Sequence, residues 1–359
     1  MKKLFQNTFF NFAFTAAGIS ILLSVCYIQA NWWGNELLIF FLPPLILVNF
    51  ILFIYYFKKK DLFIVLPLLV LLLAIKPIDE TFALNFKKND NTSDFRVMSY
   101  NIGLFNPNRM ITGESKKEAN LIKYKWLREQ KEPDILCLQE FYHSETKSGE
   151  QTIDSIVKAG NYPYYYMNPF YDKDHEGFFA VITFSKFPAI QSGDLIYGDN
   201  YINKGIWNDF IIKEDTIRVM NFHLNSMSIR IDPDIDENAA ISIVKNIKGI
   251  YSKLKSGFHK RKKEIKVIEE FIEKSPYKII ICADFNSLPY SYTYQSIKKR
   301  FNNAFEEAGT GFGFTYQYFP WFIRIDNQFY DKQLKINYFQ THKIMKISDH
   351  YPVEAGYSL

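Results

Sequence analysis

Two long stretches near the N-terminus carry no charged side chain, Leu4 to Asn35 and Leu37 to Phe57. Each is as long as the roughly 20 apolar residues that cross a hydrocarbon core, so each predicts a membrane-spanning helix. A third apolar run, Leu62 to Ile75, has 14 residues before Lys76 and Pro77. It spans only if flanking residues join it or the bilayer thins. The pattern changes after residues 77–94, a polar stretch rich in turn-formers that reads as a linker. From there to the C-terminus, short runs rich in Ile, Val and Phe predict strands at Phe95–Tyr100, Ile135–Gln139, Phe178–Phe184, Phe210–Ile212, Ile217–Phe222 and Lys278–Cys282. Between them, Lys117–Gln130 and Lys260–Lys274 place apolar residues at helical spacing. The chain therefore divides into an anchor over residues 1–76, a linker over 77–94 and an α/β domain over 95–359, its sheets covered by helices.

Lys2 and Lys3 would be the basic end of a cleaved signal peptide if the first run stood alone, but two more apolar runs follow it. As a membrane anchor, its orientation follows from basic flanks. Lys2 and Lys3 precede the first run and Lys58, Lys59 and Lys60 follow the second, whereas Asn31–Glu36 has no Lys or Arg and carries Trp32 and Trp33. The positive-inside rule puts the lysines in the cytoplasm, and three spans then place the C-terminal domain on the outer side of the cytoplasmic membrane. With only two spans it lies inside. No charge sits within the runs, which argues against a transporter or channel.

The net charge of +5 changes this picture little. Residues 91–359 hold 35 Lys and Arg against 33 Asp and Glu, without the basic surplus of a dedicated nucleic-acid binder. The basic stretch Lys253–Lys266 admits a nucleic-acid or lipid-headgroup reading. A solvated helix face, with Ile265, Val267, Ile268 and Phe271 on the buried side, is the plainer one. Three cysteines without a CxxC pair support neither a zinc site nor a disulfide framework, and Cys26, Cys137 and Cys282 read as small buried hydrophobes.

Chemistry enters at the strand ends. VMSYNIGLFN sets Asn101 just past a strand, PDILCLQEF ends on Glu140, IRVMNFHLNS delivers His223 and Asn225, and KIIICADFNSLP delivers Asp284 and Asn286. RIDNQFYDK carries Asp326, and KISDHYPV carries Asp349 and His350. Any one of these has a structural explanation as a turn, a cap or a hydrogen-bonded pair. Six in one domain point to a site, because α/β enzymes present catalytic groups at strand mouths.

In the blocks LQEF, ADFNSLP, RID and SDHYPV, in that order, the chain resembles the endonuclease/exonuclease/phosphatase superfamily over about residues 95–359. The resemblance implies a four-layer α/β sandwich, two central mixed β-sheets flanked by helices, here preceded by N-terminal transmembrane helices. It also implies metal-dependent hydrolysis of a phosphodiester or phosphomonoester. Glu140, with Asn101 and Asp349, would hold Mg2+ (or Mn2+ or Ca2+), a hard cation that prefers oxygen ligands. Asp284 would orient or deprotonate water, and Asn286 would donate to the phosphate. His350, its tautomer held by Asp326, would meet the developing charge, with His223 as a second imidazole supported by Asn225.

Some features depart from the superfamily pattern. Ala283 stands where many relatives have glycine, Asn327 follows Asp326 where an aromatic residue or histidine is usual, and Gly103 stands where abasic-site enzymes carry an acid. No phosphate-binding arginine is evident in NKGIWNDFII. His143, His175, His259 and His342 match no block and read as surface residues. Nucleic acid, a phospholipid headgroup and a small phosphorylated metabolite all remain open as substrate. Membrane tethering and the aromatic run Tyr316–Phe322 lean towards lipid. A catalytically silent, membrane-attached interaction module with the same fold is the alternative from another class.

Overall fold

In the computed structural model, the described residues are 8–27, 32–85, 93–103, 133–145, 152–171, 177–197, 204–226, 239–318, 323–343 and 348–359. The expected helix Lys117–Gln130 lies outside them, as do His175 and residues 319–322 of the aromatic run. The chain folds into two compact units.

The first unit comprises Met1–Thr81, Ser226–Lys262 and Leu288–Gln295. Helix α1, Thr8–Leu22, continues as a π-helical turn over Leu23–Tyr27. Helix α2, Gly34–Lys59, has 26 residues with a mean hydropathy of 2.8 over its most apolar window. It ends where Lys60 turns left-handed at φ 54°, and Lys58 and Lys59 in its last turn complement the helix dipole. Asp61 caps α3, Leu62–Leu73, by accepting from the Phe63 N–H at 3.0 Å. A bend of 45° then leads into α4, Ile75–Thr81. Among the described residues α2 alone is long and apolar enough to cross a membrane, and α3 with α4 qualifies only if the bent pair counts as one span.

The interior of this unit holds apolar side chains such as Leu42, Leu52 and Val70, and polar ones among them. Asn11 donates to the Tyr56 hydroxyl at 2.6 Å, and Thr15 donates to Asn49 Oδ1 at 3.3 Å, all on buried sides. Asn49 is 0% exposed, whereas Leu47 and Phe57 on the same helix are 59% and 66% exposed. These polar groups hydrogen-bond between helices, while Leu47 and Phe57 face out. At the other end Lys76 Nζ reaches the Cys26 carbonyl at 2.9 Å, satisfying a helix-terminal acceptor. The segment read as linker is in part regular structure: α4 ends at Thr81 and strand β1, Phe82–Leu84, follows at once.

The second unit comprises Phe82–Asn225, Lys263–Ser287 and Ser296–Leu359. Its strands are β2 (Phe95–Asn101), β3 (Ile135–Ser144), β4 (Tyr164–Tyr171), β5 (Gly177–Ser185), β6 (Ala189–Leu195), β7 (Gly205–Ile212), β8 (Asp215–His223), β9 (Lys278–Asp284), β10 (Asn302–Asn303), β11 (Thr310–Phe312), β12 (Asp326–Tyr330), β13 (Lys335–Thr341) and β14 (Val353–Ser358). They form two mixed six-stranded sheets, ordered β13-β14-β2-β3-β5-β4 and β10-β12-β9-β8-β7-β6, plus the pair β1-β11. In each large sheet one central pair is parallel, β2 with β3 and β8 with β9. Parallel neighbours need a long crossover and are buried on both faces, and Ile135–Leu138 of β3 and Ile279–Ala283 of β9 are accordingly continuous apolar runs.

Alternation along β2 shows the layers. Phe95 and Val97 pack into the core between the sheets with Cys137, Val219, Ile280 and Cys282. Met98 and Tyr100 face the other way, onto the layer that holds Ile153 and Ile156 of helix α5, Thr152–Gly160. Helix α6, Ala239–Glu273, contributes Ile265, Ile268 and Ile272 to this unit's buried residues, and its Phe271 ring lies 5.6 Å from that of Trp207 on β7. Two central sheets flanked by helices are as expected from the sequence. The three cysteines are free and buried.

Candidate active site

Register brings the chemistry together before any side chain is considered. His223 ends β8 and pairs across the parallel ladder with Asp284, the end of β9. Asp326, the first residue of β12, pairs with the same Asp284 from the other side. Three adjacent strands therefore present an imidazole and two carboxylates in one row. In the second sheet, Asn101 closes β2 and Glu140 stands in β3 where the ladder shifts register between Leu138 and Phe141. That bulge turns Glu140 to φ 47°, a conformation uncommon outside glycine, and Asn286 is held similarly at φ 46°. Strained backbone of this kind persists only where the surroundings enforce it.

Asp284 is the hub. Its Oδ2 accepts from Asn101 Nδ2 at 2.9 Å and lies 3.5 Å from His223 Nε2 and 3.9 Å from His350 Nε2. Its Oδ1 accepts from the Asn286 backbone N–H at 2.8 Å. Asp284 is 0% exposed, so burial favours its neutral form. The charge of His350, the hydrogen bond from His223 and that from Asn101 outweigh burial and lower its pKa to about 2.

Behind the hub, His350 Nδ1 contacts Asp326 Oδ2 at 2.8 Å. Burial alone would make this imidazole less basic, but Asp326, Asp284 and Asp349 raise its pKa to about 10. The Asp326 carboxyl is shifted up, by burial first and by the Asp284 charge next, with His350 opposing. His350 is the group protonated at neutral pH, because it faces more than one carboxylate. His223 is also shifted up, against burial, by Asp284 and then Glu140. Its Nε2 lies 3.7 Å from Glu140 Oε1 and 3.0 Å from Asn286 Nδ2.

Other residues named from the sequence have plainer surroundings. As oriented, Asn101 turns its nitrogen to Asp284 and to Glu140 Oε1 at 3.3 Å, while its oxygen accepts from Gly103 N–H at 3.1 Å. It thus braces two carboxylates, and offering its oxygen to a cation needs the amide to flip. Asp349 is half-buried, with Oδ1 3.3 Å from Ser348 Oγ. Gly103 needs its glycine: at φ +60° a Cβ there would stand 3.1 Å from Ser348 Oγ and 3.3 Å from Asp349 Oδ1. The Asn225 backbone N–H donates to Glu264 Oε2 at 2.9 Å, and Asn225 is buried.

The donor set fits a hard divalent cation. Asp284 and Asp326 offer buried carboxylate oxygens within 4.8 Å of each other, Asp326 Oδ1 with no hydrogen-bond partner among the described residues, whereas His350 beside them, protonated, offers no lone pair. Glu140 adds a half-buried carboxylate beside His223.

Three neighbours escaped the sequence reading. Ser348 donates to the Asn101 carbonyl at 2.7 Å and accepts from the His350 N–H at 3.2 Å, tying the SDH block to the end of β2. Its position directly before Asp349 was the available signal, since serine favours such turns. Lys204, in NKG, accepts the His223 N–H on its carbonyl at 3.0 Å and sends Nζ away to Asn168 Oδ1 at 3.0 Å. Tyr316 stands edge-on to His350 with ring centroids 5.3 Å apart.

One expectation is corrected. His342 is buried, not superficial, with Nε2 3.0 Å from Glu354 Oε2. That carboxylate satisfies it, which the sequence cannot show because the partner comes from the neighbouring strand. His143 is half-buried and takes the Ile153 N–H at 3.2 Å, whereas His259 is exposed.

The fold and blocks have known counterparts. The profile of the Endonuclease/Exonuclease/phosphatase family matches residues 98–350. Among solved structures, an endonuclease/exonuclease/phosphatase from Beutenbergia cavernae superposes with TM-score 0.52 at 14% identity, over 74% of this chain and 71% of that one. One from Bacteroides vulgatus gives 0.53 at 15% identity over 74% and 98%, and the human Nocturnin catalytic domain gives 0.50 at 16% over 74% and 94%. No curated protein matches the chain in sequence. The chain belongs to the endonuclease/exonuclease/phosphatase family.

Proposed function

We propose that this member of the endonuclease/exonuclease/phosphatase family hydrolyses a phosphate ester with a divalent cation, and that its N-terminal helices hold it in a membrane. The observation that carries the first part is the convergence of His223, Asn101 and His350 on the single buried carboxylate Asp284.

In hydrolysis a water oxygen bonds to phosphorus, the ester P–O bond breaks, and the departing oxygen takes a proton. Asp284, anionic at neutral pH and pinned by Asn101 and the Asn286 N–H, orients the water by accepting its hydrogen bond. A carboxylate of such low basicity suffices because phosphoryl transfer passes through a loose transition state that asks for positioning and charge stabilisation. His350, kept protonated by Asp326, donates to a phosphoryl oxygen, and His223 with the Asn286 amide lines the other side. Glu140, with Asn101 beside it, and Asp349 would hold the cation, which when bound would neutralise phosphoryl charge and steady the leaving oxygen.

Support for membrane attachment is the apolar α2, with Leu47 and Phe57 exposed on it and Asn49 buried. Asn11 bonds to Tyr56 near the end of α2 that carries Lys58 and Lys59, and Lys76 bonds to Cys26 at the opposite end. With the lysines facing the cytoplasm, the C-terminal domain is on the outer side of the cytoplasmic membrane. The deciding assay uses the full chain in detergent with bis(p-nitrophenyl) phosphate and p-nitrophenyl phosphate, with and without Mg2+. Cation-dependent turnover of either supports the reading. No turnover of these or of DNA, phospholipid and sugar-phosphate substrates would favour the interaction module.

A further inference from the structure

Among the described residues the most basic helix, α6, belongs over its first two-thirds to the same unit as the apolar helices. From Ala239 to Lys263 it holds no Asp or Glu. Its contacts within that unit converge on the start of α2. The Tyr251 ring stands edge-on to Trp33 with centroids 4.5 Å apart. Lys255 Nζ lies over the Trp33 ring at 5.9 Å, and Arg261 Nη2 reaches Glu36 Oε2 at 3.2 Å, with both partners buried. Leu254 and Phe258 are buried as well. These contacts fix one face of the helix at the level of Trp32 and Trp33, and tryptophans flanking an apolar span sit among lipid head groups. Trp32 is 51% exposed.

The exposed side carries Lys253, Ser256, His259 and Lys260, and Lys255, also exposed, lies at its edge with Nζ over the Trp33 ring. Helical spacing sets Lys253, Ser256 and Lys260 along one stripe. Glu36, the acid at this end of α2, is already bound to Arg261.

Resting on the membrane reading above, we propose that this lysine face of α6 docks on the head groups of anionic phospholipids at the membrane surface from which α2 begins. Lysines suit that place because their stems lie along apolar surface while the ammonium reaches phosphate. A purely solvated face would not require the tryptophan contacts. A nucleic-acid site is disfavoured because the Trp33 level faces lipid.

The test uses the full chain in nanodiscs of phosphatidylcholine alone or with phosphatidylglycerol. The native cysteines are buried, so Ser256→Cys takes a nitroxide label selectively. Its contact with nickel tethered to lipid head groups is then measured. The expected result is about a threefold rise in contact when phosphatidylglycerol is present, lost in high salt and in the added triple change Lys253→Gln, Lys255→Gln, Lys260→Gln. Equal contact in both lipids overturns the proposal, as does a short DNA duplex that binds through the same lysines while phosphatidylglycerol does not. Failure of the membrane reading is distinct: the protein would then not co-migrate with either nanodisc.

Discussion

His350 Nδ1 and Asp326 Oδ2 lie 2.8 Å apart although 24 residues separate them in sequence, and both are buried. The pair holds the His350 pKa well above its ordinary value. Replacing Asp326 with Asn removes the first of the charges that raise the imidazole. The proposed mechanism uses protonated His350, so the alkaline limb of the kcat profile should move to lower pH in Asp326→Asn. Turnover at pH 7 should fall by about 10²-fold. An unmoved limb would show that Asp326 only supports the fold.

Asp284→Asn and His350→Ala should each lower kcat by about 10²–10⁴-fold, with circular dichroism and thermal unfolding showing a folded domain. Near-wild-type turnover in either folded variant would remove the hub from the mechanism.

Glu140→Gln should weaken the apparent Mg2+ affinity about tenfold or more, read from the cation dependence of turnover, because it takes away a charged oxygen ligand. Turnover of the native protein that persists undiminished in excess chelator would refute the cation requirement.

Acid stability should depend on Glu354, far in sequence from the hub. It is buried and accepts from the Tyr338 hydroxyl at 2.5 Å, with His342 Nε2 3.0 Å away. Burial would raise its pKa, but the bonds from His342 and Tyr338 outweigh this and leave it below the ordinary glutamate value. A depressed carboxyl stabilises the fold above its unfolded pKa of about 4.3, and that contribution is lost as pH falls through the folded value. Glu354→Gln should therefore cost about 1–3 kcal/mol at pH 7 and flatten the loss of stability below pH 4, as read by denaturant unfolding at several pH values.

A reporter that works only outside the cytoplasm, fused after Leu359, should be active if the domain is exported. Activity only from a cytoplasmic reporter at the same place would reverse the orientation and leave α3 lying along the membrane surface.

The ADFN block was legible because it follows the plain apolar run Lys278–Cys282, and strand ends are where polar groups can leave a core, whereas the SDH block stood out by its resemblance to the superfamily. Strands such as β4, Tyr-Tyr-Tyr-Met-Asn-Pro-Phe-Tyr, were not legible. An edge strand carries exposed aromatics and a tolerated proline, so its pattern loses the alternation. The linker reading over 77–94 met helix and strand in its first residues. Thr81 bonds back to the Pro77 carbonyl at 2.6 Å, and Phe82–Leu84 find a partner strand at Thr310–Phe312, more than 200 residues away.

By itself the sequence determined which residues are apolar, where the apolar helices and six of the strands run, and which polar side chains follow those strands. These follow from local periodicity and from the cost of burying unpaired polar groups. Only the tertiary structure decided that His223, Asp284 and Asp326 share one row, that Asn101 turns its nitrogen to two carboxylates, and that His342 is buried against Glu354. It also decided that the first part of α6 packs with the apolar helices through Trp33 and Glu36. Strand neighbours and register arise from packing between residues distant in the chain. The charge of a buried group depends on ångström separations to those neighbours, and spacing in sequence does not encode them.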